Sequence, residues 1–85
     1  NSPIKRTKRR GLLRNVAVAL GNWGHESAIP ALSQGLQDSE PLIRSHAAWA
    51  LGRISASKAK IILKDAKKTE KVPAVIGEIE AALGA

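Results

Sequence analysis

The chain has 85 residues, of which 44% are hydrophobic and 25% charged, with no cysteine and a formal net charge of +7. That length holds one small domain, the mixture argues against wholesale disorder, and the missing thiols exclude disulfides, thiolate metal sites and thiol catalysis in these residues. No apolar run approaches the length of a membrane span and no signal-peptide core follows the basic N-terminus, so the chain reads as soluble or as a soluble piece of a longer protein.

The first helix is expected to begin near Gly11, with Leu12, Leu13, Val16, Ala17 and Leu20 forming one broad apolar stripe. Residues 1–10 before it read as an extended or loosely ordered basic segment, a linker from an upstream domain, and residues 11–85 as the folded unit. Gly21 and Gly24 supply the permissive backbone on which a helix stops. Ser27 is a candidate N-cap for a second helix, with Pro30 in its first turn and Ile29, Leu32 and Leu36 facing inward. The third helix opens at Asp38-Ser39-Glu40-Pro41 and buries Ile43, Ala47, Ala50 and Ile54. Ser57 can cap a fourth, with Ala59, Ile62 and Ala66 inside. A fifth runs from about Pro73 on Val72, Ile76, Ile79 and Leu83, and carries Gly77 at a cost of roughly 1 kcal/mol relative to alanine. Nothing alternates with period two for long enough to form a strand. The expected class is all-α.

The same six-residue pattern occurs three times. Val16-Ala17-Val18-Ala19-Leu20-Gly21 aligns with Ala47-Ala48-Trp49-Ala50-Leu51-Gly52 and with Ile79-Glu80-Ala81-Ala82-Leu83-Gly84. The steps between glycines, 31 and 32 residues, are the length of a helix–turn–helix unit. Two pairs plus a final helix make a short α-solenoid, its open ends needing a cap or a neighbour. Small residues at 17, 19, 47, 48 and 50 let helix backbones approach, with leucines filling the layer between. Trp49, in the slot held by Val18 in the first unit, reads as core or semi-core; Trp23 lies at a helix–helix corner between two glycines.

Leu42-Ile43-Arg44 followed by Ala47-Ala48 and Ala50-Leu51-Gly52 resembles the HEAT-like repeat of the phycobilisome-lyase type. A narrower resemblance rests on Ser2-Pro3-Ile4-Lys5-Arg6, Arg10-Gly11-Leu12-Leu13-Arg14-Asn15, Ala19-Leu20-Gly21-Asn22 and His46-Ala47-Ala48-Trp49-Ala50-Leu51-Gly52-Arg53. These stretches are similar to the C-terminal region of epoxyqueuosine reductase, with Ser45 standing where glycine is expected. The resemblance implies a cytoplasmic parent enzyme whose upstream catalytic domains carry cobalamin and two 4Fe-4S clusters and reduce epoxyqueuosine to queuosine in tRNA. This chain would then be the accessory part that helps hold the tRNA anticodon stem-loop, with no cofactor of its own.

The charge distribution bears on that implication. Residues 1–20 carry six basic side chains and no acid, whereas residues 21–85 carry eight basic and seven acidic ones. Such a cluster attracts a polyanion, nucleic acid being the usual one. A solubilising tail, or contact with an acidic neighbour domain, reads the same charge in another way. Candidate phosphate contacts are Lys5, Arg6, Lys8, Arg9, Arg10 and Arg14, with Asn15 adding a polar contact. The backbone amides of a helix beginning at Gly11 would favour the same anion; the alternative is that Arg14 and Asn15 merely cap and fix the helix start. Lys60, Lys64, Lys67 and Lys71 are spaced 4, 3 and 4 and share one face of the fourth helix, flanked by Lys68. They extend a basic groove or form a solvated face relieved by Asp65 and Glu70.

Arg44 is expected to pair with Asp38 or Glu40, His46 to be a satisfied, partly buried side chain and His25 a surface turn residue. The carboxylates form no paired acid–base constellation and no phosphate-cradling glycine motif occurs, so catalysis within these residues is not expected. A different class of function, a HEAT-like protein–protein interaction module without a nucleic-acid role, stays open beside the RNA reading.

Overall fold

The structure is a computed structural model that describes the backbone over residues 3–84 and the side chains over residues 7–84. Five helices follow one another: α1 (Pro3–Trp23), α2 (Ile29–Gly35), α3 (Pro41–Gly52), α4 (Ser57–Thr69) and α5 (Pro73–Ala82), with a 3-10 turn over Glu26–Ala28 leading into α2. No strand occurs among the described residues. α3 is the centre of the stack, packed on α1 and α5 to either side and on α2 and α4 behind. The result is a flat body of 39 × 27 × 16 Å, two helix pairs and a closing helix.

α1 begins two turns earlier than the position of Gly11 suggests. Nothing in residues 4–10 breaks a helix: lysine and arginine are good helix formers, and Pro3 suits a first turn. Gly11 lies inside the helix, so the free N-terminal amides expected there for an anion do not exist. The start of α2 also differs. His25, not Ser27, caps the 3-10 turn, its Nδ1 accepting the backbone N–H of Ser27 at 3.0 Å. α3 and α5 begin where their prolines put them, at Pro41 and Pro73, although no side chain of Glu40 or Val72 bonds to the helix it precedes. Ser57 is the first residue of α4, with Ala56 at the cap position.

The repeated glycine has a packing cause. A Cβ on Gly21 would fall 2.6 Å from the Trp49 ring and 3.0 Å from the Ala50 Cα; one on Gly52 would fall 2.7 Å from the Ala82 Cβ. Each glycine therefore sits against the alanine of the next unit, and the two contacts are the same seam one repeat apart. Ala17, Ala47, Ala48, Ala50 and Leu51 are buried in it, together with Ile43, Ile54, Val75 and Ile79. In the second layer Ile29, Leu32, Leu36, Ala59 and Leu63 are buried, whereas Ile62, Ala66, Val72 and Leu83 are only partly covered. Within the stripe expected of α1, Leu13, Ala17 and Leu20 turn towards the stack, but Leu12 and Val16 are exposed.

Arg44 fastens three chain segments. Its Nε and a terminal nitrogen donate to both oxygens of Glu70 at 2.8 and 3.1 Å, and its other terminal nitrogen donates to the Asp38 carbonyl at 2.8 Å. Glu70 also accepts the backbone N–H groups of Lys71 and Val72. The expected partners, Asp38 and Glu40, are engaged by α1 instead. The Arg44 guanidinium, with those amides, holds the Glu70 carboxyl below the usual carboxylate range.

Candidate nucleic-acid interface

Helix formation from Pro3 onward distributes the N-terminal cations around α1 instead of along an extended strand. Successive helical residues point about 100° apart, so Lys8, Arg9 and Arg10 leave in three directions. The Lys5 and Arg6 side chains lie outside the described residues. Arg9 reaches across to the turn before α3, where one terminal nitrogen meets Asp38 Oδ2 at 2.6 Å. That hydrogen bond, with the charge beside it, holds the Asp38 carboxyl below its ordinary value and raises Arg9. Arg10 Nε lies 3.2 Å from Glu40 Oε2, close enough for an ion pair but not aligned as a hydrogen bond. Two of the candidate phosphate contacts thus clamp α1 to the α2–α3 turn. Their side chains remain about half open to solvent, with exposures of 52% and 40%, although Arg10 Nε itself is buried.

Lys8 and Arg14 are exposed and have no carboxylate partner among the described residues. Arg14 donates to its neighbour Asn15 at 3.4 Å. On α4, Lys58, Lys60 and Lys64 are exposed and have no ion-pair partner among the described residues; nor has Lys71, which lies beyond the end of the helix at Thr69 and so does not share its face. Lys67 pairs with Glu80 of α5 at 3.2 Å, and Lys68 with Asp65 at 3.5 Å. Relief of the lysine stripe comes from Glu80 and Asp65, since Glu70 is committed to Arg44. α1 and α4 pack on different sides of α3, so the two basic sets are not brought into one cluster.

Between α1, α3 and α5 runs an open groove of about 290 Å³, lined by Val18, Ser45, His46, Trp49 and Glu78. Trp49 is half-buried against the core, its ring edge in the notch left by Gly21 and the Arg53 guanidinium 5.2 Å from its centroid. Arg53 also donates to the Gly21 carbonyl at 3.3 Å. His46 Nδ1 lies 2.9 Å from the Leu42 carbonyl, so the proton of that bond is on Nδ1 and Nε2 is left as an acceptor when the ring is neutral. Glu78 had no distinguishing sequence signal, and Ser45 and Arg53 stood out only within the family resemblance, not as neighbours of Trp49. They become neighbours only because units 31 or 32 residues apart are stacked. Trp23 is exposed and stacks on His25, ring centroids 4.9 Å apart.

The sequence between residues 6 and 84 matches a family model described as HEAT repeats. The chain belongs to the HEAT-repeat family. This HEAT domain is 43% identical over 53 residues to an epoxyqueuosine reductase of Xanthomonas campestris pv. campestris, covering 61% of the chain and 15% of that protein. It is 34% identical over 76 residues to the epoxyqueuosine reductase of Bacillus cereus, covering 88% of the chain and 20% of the relative. A deoxyhypusine hydroxylase of Schizosaccharomyces pombe is 37% identical over 70 residues, 81% of the chain and 22% of that enzyme. The domain thus spans between 15% and 33% of the length of the curated relatives it matches. No solved structure matches it. It resembles the C-terminal region of epoxyqueuosine reductase.

The iron–sulfur clusters implied for such a parent do not fit these residues. There is no cysteine to ligate an iron–sulfur cluster, and among the described residues no three His, Asp or Glu side chains converge on a metal-sized site. No described helix is long and apolar enough to cross a membrane.

Proposed function

We propose that this HEAT domain is an accessory tRNA-binding module, of the kind its likeness to epoxyqueuosine reductase suggests. In that role it holds the anticodon stem-loop while upstream catalytic domains of the same polypeptide reduce epoxyqueuosine to queuosine. The observation that carries the reading is the charge left over after folding. Five carboxylates are engaged in ion pairs, yet Lys8, Arg14, Lys58, Lys60, Lys64 and Lys71 keep no carboxylate partner among the described residues. Exposed cations without internal partners favour a polyanion, and arginine suits phosphate oxygens.

Within this reading the side chains divide by role. Lys8, Arg14, Lys60 and Lys64 meet phosphates, with Lys5 and Arg6 as further candidates. Arg9 and Arg10 chiefly hold α1 in place and add field strength through their open sides. Lys67 is shared with Glu80, and Asn15 orients Arg14. Titration of the 85-residue protein with a tRNA anticodon stem-loop at low salt tests the assignment. Arg14→Gln should weaken binding about 3- to 10-fold, as loss of one phosphate contact does, and Lys60→Gln with Lys64→Gln should weaken it further. Affinity unchanged in both variants would remove the RNA role and leave the HEAT domain as a protein-interaction module.

A further inference from the structure

Repeat equivalence exposes an asymmetry between the two ends of the stack. Leu12, Val16, Ala19 and Trp23 lie along one face of α1 at helical spacing, all exposed, the three large ones at 64%, 44% and 59%. Their counterparts one unit later are Ile43, Ala47, Ala50 and Ile54, exposed by only 3%, 1%, 0% and 4%. Two units later Leu12 and Val16 correspond to Val75 and Ile79, both at 0%. In α3 and α5 this face is covered by the first helix of the preceding unit, α1 and α3 respectively, through Gly21 on Ala50 and Gly52 on Ala82. On α1 no described helix covers the same face, where Trp23 stacks only on His25 of the following turn. The opposite end is finished differently: Glu80 of α5 occupies the position of Ala17 and Ala48 and pairs with Lys67. A polar outer face of that kind is how a solenoid closes.

We propose that the Leu12–Val16–Ala19–Trp23 face of α1 is a docking surface for one more helix of the HEAT type, presenting an alanine–glycine seam like that of Ala17 and Gly21. The occupant follows from continuity with the two interfaces already in the fold. Ala19 stands where Ala50 and Ala82 receive a glycine, and Leu12 stands where Ile43 and Val75 fill the layer beside it. A second copy joined head to tail would bring Glu80 where the seam needs alanine. Two α1 faces laid together would set Val16 and Trp23 against side chains of equal bulk, with no small residue but Ala19 to receive them. In the relatives the matched stretch is a minor part of a longer protein, which supplies further polypeptide for such a helix. The surface is independent of the RNA reading.

A tandem chain tests the proposal, with a copy of residues 38–72 joined ahead of residue 10 so that the copied α3 precedes α1 at the repeat's own spacing. The expected result is a melting temperature above that of the 85-residue protein. Leu12→Glu should then lower the tandem chain's melting temperature by roughly 10 °C or more while moving that of the 85-residue protein by no more than about 3 °C. Ala19→Leu should behave likewise, because the copied Gly52 would meet it. A tandem chain no more stable than the 85-residue protein, or equal effects of both substitutions in the two chains, overturns the proposal. Concentration-dependent dimers in sedimentation that Leu12→Glu abolishes would assign the face to a second copy instead. Stem-loop affinity lost in Leu12→Glu would assign it to RNA.

Discussion

Alanine in place of glycine should have opposite effects at two positions of the stack. At Gly52 the new Cβ would lie 2.7 Å from the Ala82 Cβ and 2.8 Å from its Cα. Ordinary contact is about a full ångström longer, and the obstacle is helix backbone, so α5 must back away from α3. Overpacking of this kind costs about 1–3 kcal/mol. The gain in helix propensity, at most about 1 kcal/mol, is reduced because Gly52 is the last residue of α3. The net loss of about 1–2 kcal/mol corresponds to a fall of roughly 4–16 °C in melting temperature for a domain of this size. At Gly77, in the middle of α5, a Cβ would meet no atom within 4 Å. There only the propensity term remains, and Gly77→Ala should raise stability by about 0.5–1 kcal/mol. Thermal unfolding followed by circular dichroism measures both. A Gly52→Ala variant as stable as the parent, or a shift of the same sign in both variants, would refute the seam as the reason for the repeated glycine.

Further expectations concern the ion pairs. Arg44→Ala leaves Glu70, nearly buried, without its bidentate partner, and should cost about 2–3 kcal/mol in urea unfolding; a loss below about 0.5 kcal/mol would contradict the role given to it. Asp38 and Glu70 both have lowered pKa values in the fold, held by Arg9 and Arg44, so the unfolded chain binds their protons more readily. Their contribution is fully present above the unfolded carboxylate range near pH 4 and is lost as pH falls through the lower folded values. The urea midpoint should therefore stay level from about pH 7 to pH 5 and drop below pH 4; stability rising on acidification to pH 3 would contradict the assignment. Gly24 adopts φ of +70°, a conformation that alanine resists, so Gly24→Ala should lower stability by about 1 kcal/mol, measurable in the same unfolding series.

The stack was legible because its signals are local and recur. The glycines at 21, 52 and 84 marked the units, and Ile43, Ala47, Ala50 and Ile54 show the burial their spacing implies. The start of α1 was not legible, because Gly11 resembles a boundary when nothing shows that the helix is anchored on both sides of it. Only the folded chain brings Arg9 and Arg10 to Asp38 and Glu40, some thirty residues away, and turns cations that resembled free phosphate ligands into clamps. The choice of Glu70 by Arg44 depends in the same way on the α4–α5 turn arriving beside α3. Leu12 and Val16 have the pattern of core residues and would be core in any later unit. Their exposure follows from position at the end of the stack, which no spacing within α1 encodes. The groove formed by Ser45, His46, Trp49 and Glu78 was invisible for a related reason: its walls belong to different repeats.

The salt dependence of stem-loop binding tests the central claim most directly. If Lys8, Arg14, Lys60 and Lys64, joined by one of the N-terminal cations, neutralise four or five phosphates, log affinity should fall linearly with log salt at a slope of about −3 to −4.5. Arg14→Gln should make that slope shallower by about 0.7–0.9. A slope near zero, or no binding at low salt, would contradict the account and leave the free cations of α1 and α4 without a polyanion to meet.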